Sequence, residues 1–187
     1  MKSYEEIEKM FVDKGYTFFK GELNVNLFAI RKKINTNLFD DEIWLVYEEN
    51  GAKIVKQWAC TTDAGFTYLK KPLNPNGTAI MVPGQYKGAY GIGHHMKYEA
   101  LRQAKPIKYY RDLNKDLRHD LNGKIYEEIG YTNIHHAGKD SGTIDNWSAG
   151  CIVFKRIVDF DSMMKVMRKA ASKYGNSFTF TLFSEVW

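Results

Sequence analysis

Two adjacent histidines and one cysteine are the residues whose types and spacing best fit covalent chemistry. His135 and His136 follow Ile134, and Cys151 lies 16 positions (151 − 135) after the first histidine. The thiolate is the reactive form of cysteine, and a nearby histidine can generate or stabilise it. The spacing therefore predicts a cysteine nucleophile with one histidine as its general base. Adjacent side chains of a strand point to opposite faces, so only one of the pair is expected to reach the sulfur.

Small residues directly precede the cysteine. In Ser148-Ala149-Gly150-Cys151 they allow backbone N–H groups to approach a reacting carbonyl and stabilise its oxyanion. Ser148 either bonds to the active-site backbone or is a plain turn serine, and Trp147 either lines a substrate cleft or caps the core. The apolar Ile152-Val153-Phe154 predicts a buried strand that holds the sulfur rigidly.

These residues resemble the catalytic domain of the L,D-transpeptidases. The signature of that family is an apolar residue and a histidine, a loop, and Ser/Thr-His-Gly-Cys followed by an apolar residue. Ile134-His135 matches the first half, which implies that His135, in preference to His136, is the general base. The second half is matched by Ser148, Gly150, Cys151 and Ile152. The resemblance covers roughly residues 78 to 154 and implies the same fold.

The chain departs from this signature at three points. Ala149 replaces the inner histidine, Val153 stands where family members usually carry Arg or Asn, and the loop is a little shorter. The form without the inner histidine is similar to wall enzymes encoded by phages or secreted as effectors. Val153 predicts that substrate anchoring has been remodelled.

The resemblance implies a substrate and leaves three functions open. Cys151 would attack an amide carbonyl in a peptidoglycan stem peptide and form a thioester. Attack by water would make the protein a carboxypeptidase or endopeptidase, which is the favoured hypothesis. Attack by an amine would form a crosslink or exchange a D-amino acid. An inactive wall-binding module is the third reading.

Metal chemistry is the competing class. The chain has five histidines, at 94, 95, 119, 135 and 136, but none shows the helical His-x-x-x-His spacing of a zinc site. We therefore predict no metal at the active site and no cofactor.

Composition favours one soluble domain spanning residues 1–187. Apolar residues make up 44%, charged residues 26% and aromatic residues 14%, and the aromatic share favours strands. The net charge of +5 fits a mildly anionic partner such as the bacterial wall. We expect no nucleic-acid partner, because no block of basic residues occurs, no membrane insertion, and a monomer. The N-terminus has no apolar signal-peptide core, which predicts synthesis in the cytoplasm and action on the wall after release or non-classical export.

The remaining cysteine, Cys60, lies in the strand-like run 56–62. Its simplest role is that of a small buried apolar side chain. A Cys60–Cys151 disulfide is the alternative, and it would abolish the proposed chemistry.

Periodicity predicts mainly β structure with flanking helices, an α+β class. Ser3 with Glu6 forms a capping-box pattern, so a short helix should begin there and end near Gly15. Asn50-Gly51 lies between two β-prone runs and predicts a hairpin. Residues 62–76 are expected to be a loop. An apolar stripe from Phe160 to Tyr174 predicts a core-facing helix in the C-terminal half, before a strand at 178–182. The predicted core is a β-sandwich or a barrel-like sheet.

Several polar residues between the predicted strands leave alternatives open. The resemblance places the turn Pro83-Gly84-Gln85-Tyr86 before a strand that lines the active site, so Tyr86 is a candidate substrate contact. The glycines at 88, 91 and 93 lack phosphate-loop spacing and indicate a loop or bulge. His94 and His95 are either a polar loop pair on the surface or a substrate-facing wall of the cleft.

The segment from Asp112 to Gly123 begins like a calcium loop. Asp112, Asn114 and Asp116 occupy alternate positions and Asp120 follows further on, but position six is Leu117 where calcium loops have glycine, and position twelve is Gly123 where they have glutamate. A solvated acidic loop is the favoured interpretation.

Overall fold

The central element is a closed barrel of eight strands. The computed structural model describes residues 2–138 and 142–186. Within these, the barrel strands are β1 (Asn26–Arg31), β2 (Asp41–Glu49), β3 (Ala52–Thr61), β5 (Gly84–His95), β6 (Tyr98–Gln103), β9 (Ile134–His136), β10 (Ile152–Phe154) and β11 (Phe178–Ser184). Their order around the barrel is β1-β11-β5-β6-β9-β10-β3-β2. The prediction of a mainly β, α+β protein with a barrel-like core is confirmed.

A smaller sheet lies beside the barrel. It contains β4 (Thr78–Met81), β7 (Ile107–Asp112) and β8 (Tyr126–Glu128), all antiparallel. The helices of the described chain are α1 (Tyr4–Asp13), α2 (Phe66–Lys70) and α3 (Ile157–Tyr174). Of the helices within that part of the chain, none combines the length and the apolar character needed to cross a membrane.

Local sequence signals account for the best-defined boundaries. The Ser3 hydroxyl accepts the Glu6 N–H at 3.1 Å and the Glu6 carboxylate accepts the Ser3 N–H at 2.6 Å, so the capping box is confirmed. Asn50 and Gly51 have φ values of 53° and 76°, the left-handed pair that a two-residue hairpin turn requires. The hairpin of β2 and β3 is therefore confirmed.

Helix α3 contributes the predicted apolar stripe to the core. Phe160, Met163, Met164 and Met167 are buried in the same cluster as the residues that fill the barrel. Gly175 ends the helix with φ of 88°. Helix α1 covers a second, smaller cluster on the other face of β1 and β2, where Phe11 packs edge-on against Phe28. The two end helices thus close opposite faces of the barrel wall.

Some predictions were wrong. Residues 62–76 contain helix α2, which the Pro and Gly content of the segment obscured. Gly91 and Gly93 lie within β5, so the loop alternative fails, whereas Gly88 lies where the pairing of β5 with β11 shifts register, as a bulge does. His94 and His95 end the same strand, so the loop pair is also excluded. Cys60 is buried and both cysteines are free, so there is no Cys60–Cys151 disulfide.

Candidate active site

A cleft of about 630 Å³ collects most of the predicted site residues. Its walls include Cys151, His135, His136, His95, Trp147, Ala149 and Gly150. It lies where the barrel strands β9 and β10 meet the small sheet, because Thr78 and Ala79 of β4 and Arg111 of β7 complete the lining. The structure therefore brings the sulfur and the candidate bases to one opening.

The parallel pairing of β9 with β10 positions the candidate base and the strand that follows the candidate nucleophile. Ile152 pairs with Ile134 and Val153 with His135, and the Ile152 N–H donates to the Asn133 carbonyl at 3.0 Å. Side chains alternate along a strand, so Ile152 and Ile134 both face the barrel interior. Cys151, directly before β10, shares the opposite face with His135.

His135 is held in place by a hydrogen bond at one of its ring nitrogens. Its ring is 4% exposed, and its Nδ1 lies 3.0 Å from the His136 carbonyl oxygen. A carbonyl can only accept, so Nδ1 carries the proton and the Nε2 lone pair is left to accept one. The Tyr98 hydroxyl lies 3.2 Å from the same Nδ1. Burial first, and then the charge of His95, lower the pKa of His135 to about 3.

Cys151 is partly exposed at the cleft. Its Sγ lies 3.6 Å from the Tyr131 carbonyl oxygen, a weak hydrogen bond that the thiol donates. Burial raises the pKa of Cys151 to about 11, and a backbone hydrogen bond at Asn133 opposes this shift. With the pKa of His135 lowered, the resting pair near neutral pH is a thiol and a neutral imidazole.

His136 faces a different environment. Its Nδ1 lies 2.7 Å from the Ala137 carbonyl oxygen, and its ring stacks on that of Tyr98 with centroids 4.3 Å apart. The His136 ring also contacts Phe160, with ring centroids 5.1 Å apart and planes at 63°. His136 also lines the cleft. That only one of the pair reaches the sulfur stays a prediction. The register nevertheless favours His135 as the residue on the face of the sulfur.

The loop before Cys151 is fixed by hydrogen bonds. The Ser148 hydroxyl donates to the Cys151 carbonyl at 2.8 Å and accepts the Gly150 N–H at 3.1 Å. The Ser148 carbonyl accepts the Gly65 N–H at 2.9 Å. Ser148 therefore bonds to the active-site backbone, as the first of its two readings predicts. Because the Gly150 N–H is already used, it is not a free oxyanion donor in this arrangement.

Gly150 is required by its conformation and by its surroundings. Its φ is 120°, and a Cβ built there would lie 2.8 Å from the Ala79 carbonyl oxygen. We expect Gly150→Ala to lower the free energy of unfolding by about 1–3 kcal/mol and to slow alkylation of Cys151, because the loop must shift. Urea unfolding and alkylation kinetics measure the two effects.

Gly142 offers a matched control in the same loop. A Cβ at Gly142 would meet nothing within 4 Å, and its φ lies outside the left-handed region. Gly142→Ala should leave both quantities nearly unchanged. Equal effects of the two substitutions would contradict the role assigned to Gly150.

His95 stacks directly on the candidate base. The ring centroids of His95 and His135 are 4.1 Å apart with planes 13° apart. The Asn133 side-chain oxygen accepts the Gln103 N–H at 3.1 Å, so its NH₂ group donates to His95 Nδ1, also at 3.1 Å. His95 Nδ1 is thus an acceptor, and the neutral ring carries its proton on Nε2. Of the two alternatives for His95, the structure agrees with a position in the wall of the cleft.

Two predicted substrate contacts do not line the cleft. His94 alternates with His95, is exposed and pairs with Glu99 across the hairpin. Tyr86 packs against the central core, and its hydroxyl donates to the Val82 carbonyl at 2.5 Å. His94 does not line the cleft because side chains alternate along the strand. Tyr86 does not line it because the residue lies near the start of the long strand β5.

Both alternatives for Trp147, a cleft wall and a cap on the core, agree with the structure. It lines the cleft and also packs against the small cluster of Phe39, Ala137, Ile144 and Val153. Val153 itself is fully buried there. Val153 is not among the residues that line the cleft.

Sequence reasoning missed several cleft residues, notably Tyr98, Tyr131, Thr132 and Arg111. Tyr98 pairs with His95 across a tight turn in which Met96 has φ of 55°. The hairpin signal was weak, because neither Met96 nor Lys97 is a typical turn residue. Arg111 is committed to the Glu128 carboxylate and donates to the Gly77 carbonyl at 3.0 Å.

Comparisons with family models, with curated proteins and with solved structures find no match to this chain. The interpretation of the cleft therefore depends on its own geometry and on the sequence signature.

Proposed function

We propose that this protein is a cysteine-dependent peptidoglycan hydrolase with an L,D-transpeptidase-like catalytic domain. The observation that supports this most is that Cys151 and His135 line the same cleft, while Val153, two residues after the cysteine, pairs with His135 across β9 and β10. Its partner is the stem peptide of the wall, and its reaction is cleavage of an amide after the L-centre of the third stem residue.

The proposed reaction begins from a neutral pair. As Sγ of Cys151 attacks the amide carbonyl, Nε2 of His135 accepts the thiol proton. The tetrahedral intermediate collapses to a thioester, and the same proton passes to the departing amine of the D-residue. A water molecule then attacks the thioester while His135 accepts its proton, and the proton returns to the sulfur as the acid product leaves.

Oxyanion stabilisation is assigned to the backbone around the sulfur. The N–H of Cys151 is the donor we propose, since Ser148 engages the N–H of Gly150. Ser148 holds the Cys151 carbonyl at 2.8 Å, which fixes the orientation of the peptide that follows the nucleophile. Rigid placement of this kind is what a pre-organised site requires.

The size and lining of the cleft support a peptide substrate. About 630 Å³ lies within the range of roughly 300–1,000 Å³ typical of ligand sites. Tyr98, Tyr131 and Trp147 supply aromatic surface for the aliphatic part of a diamino acid. The amide and hydroxyl groups of Asn74 and Thr78 supply polar contacts in the same lining.

Hydrolysis and transfer share the same acyl-enzyme, so products must separate them. Defined tetrapeptide muropeptides are incubated with the protein, with and without an added D-amino acid, and analysed by mass spectrometry. Tripeptide alone supports hydrolysis. Dimers or an exchanged fourth residue would show transpeptidation and contradict hydrolysis. Tight binding to sacculi without any product would indicate a binding module.

The raised pKa of Cys151 predicts an unusual alkylation profile. With a pKa of about 11, roughly one thiol in 10⁴ is ionised at pH 7, so the rate with iodoacetamide should rise about tenfold per pH unit through pH 9. Alkylation should inactivate the protein, and the zinc chelator 1,10-phenanthroline should not.

Two other results would contradict these expectations. A rate that is already constant above pH 6 would mean a preformed thiolate–imidazolium pair. Inactivation by phenanthroline without inactivation by iodoacetamide would favour the metal alternative.

A further inference from the structure

The loop that follows β7 has the ligand spacing of a calcium site. Asp112, Asn114, Asp116 and Asp120 stand at positions one, three, five and nine of such a loop. The sequence argues against calcium mainly at position six, where Leu117 replaces the glycine that makes the sharp turn.

The backbone resolves this objection. Leu117 has φ of 67°, which is the left-handed conformation that glycine normally provides at position six. The Asn114 side-chain oxygen accepts the Asp116 N–H at 3.0 Å, and an Asp116 carboxylate oxygen accepts the Arg118 N–H at 2.8 Å. The Asn114 NH₂ group donates to the Asp120 carboxylate at 3.1 Å, which holds position nine against position three.

The side chain of Asp112 is a second observation that points to a cation at this loop. Its side chain is 0% exposed, and neither carboxylate oxygen has a hydrogen-bond partner among the described residues. A fully buried carboxylate without a partner is costly unless a cation binds to it.

We propose that the loop from Asp112 to Asp120 binds a calcium ion. The ligands are the carboxylates of Asp112, Asp116 and Asp120, the side-chain oxygen of Asn114 and the main-chain carbonyl of Arg118, with water completing the shell. Within the described residues no three His, Cys, Asp or Glu side chains are already gathered as metal ligands, so the carboxylates close on the ion when it binds. Calcium suits such an irregular, adjustable oxygen shell better than magnesium does.

The absence of a glutamate at position twelve sets the expected affinity. Gly123 cannot supply the bidentate carboxylate of the tighter loops, so we expect a Kd on the order of 10⁻⁴ M. An ion at this place would stabilise the neighbouring loops. The N–H of His119 donates to the Asn35 side-chain oxygen at 2.7 Å, and His119 Nε2 accepts the Ala64 N–H at 3.3 Å.

The test measures binding and thermal stability, so it does not depend on the proposed function. After removal of metals with EDTA, wild-type protein is titrated with calcium chloride by calorimetry, and unfolding is followed by circular dichroism. Calcium at ten times its Kd should raise Tm by roughly 3–5 °C. Magnesium chloride at the same concentration should have a much smaller effect.

Under this proposal Asp112→Asn should change two quantities, the Tm without calcium and the response of Tm to calcium. Without calcium the variant should have a higher Tm than wild type, because a buried unpaired charge is removed, and with calcium it should show no further increase. Asp120→Asn, at a partly exposed position, should also lose the calcium response. Asp161→Asn, on the exposed face of α3, is the matched control and should keep it.

Three results would overturn the site. They are no heat and no change in Tm with calcium on wild-type protein, an undiminished calcium response in the Asp112 and Asp120 variants, or an equal response to magnesium. If Asp112→Asn does not fold, the wild-type titration and the Asp120 variant still decide between these outcomes.

Discussion

Replacing Cys151 by alanine should abolish release of stem-peptide fragments from purified sacculi. Loss of a covalent nucleophile costs enzymes roughly 10³-fold or more in rate, and no other thiol lines this cleft among the described residues. The substitution removes one atom at a partly exposed site, so Tm should change little. Fragment release is followed by chromatography of soluble muropeptides.

Cys60→Ala is the matched control. Cys60 is fully buried in β3, and its pKa is raised well above the usual range by burial. This variant should retain the activity of the wild type at a temperature where it remains folded. Activity that survives in Cys151→Ala would remove the basis of the proposed mechanism.

His135→Asn should produce the second large effect. The asparagine NH₂ group can replace Nδ1 as the donor to the His136 carbonyl, while the acceptor at Nε2 is lost. General-base catalysis typically contributes roughly 10²–10⁴-fold, and the rate of stem-peptide cleavage should fall by that amount. The measurement is kcat on a defined tetrapeptide, with circular dichroism to confirm that the barrel is intact.

His136→Asn separates the two candidate bases. Its ring stacks on Tyr98 and touches Phe160, so its loss should perturb the cleft wall and reduce the rate by less than about tenfold. A larger loss from His136→Asn than from His135→Asn would reverse the assignment of the base.

The sequence was most informative where one local signal decided the structure. Ser3 with Glu6 and Asn50 with Gly51 each fix a boundary through hydrogen bonds or φ values of adjacent residues. The buried run Ile152–Phe154 behind Cys151 was predictable for the same reason, because three consecutive apolar residues need an interior. These features require no knowledge of distant partners.

Long-range pairing was beyond sequence reasoning. The parallel contact of β9 with β10 joins two strands of three residues each, too short for a periodic pattern. The stacking of His95 on His135 depends on that contact and on the hairpin at Met96. Leu117 has a left-handed φ of 67°, which its residue type does not favour, so the sequence did not predict it.

The acyl-enzyme is the central claim, and mass spectrometry of the intact protein tests it most directly. The protein is mixed with a tetrapeptide muropeptide, quenched in acid during the first turnovers, and digested to locate any adduct. We predict a mass increase equal to the muropeptide acyl group that remains after loss of the terminal D-residue, confined to the peptide that contains Cys151, absent from Cys151→Ala and present in Cys60→Ala. Cleavage of the stem without an adduct at that residue, or with an adduct at another one, would contradict the account.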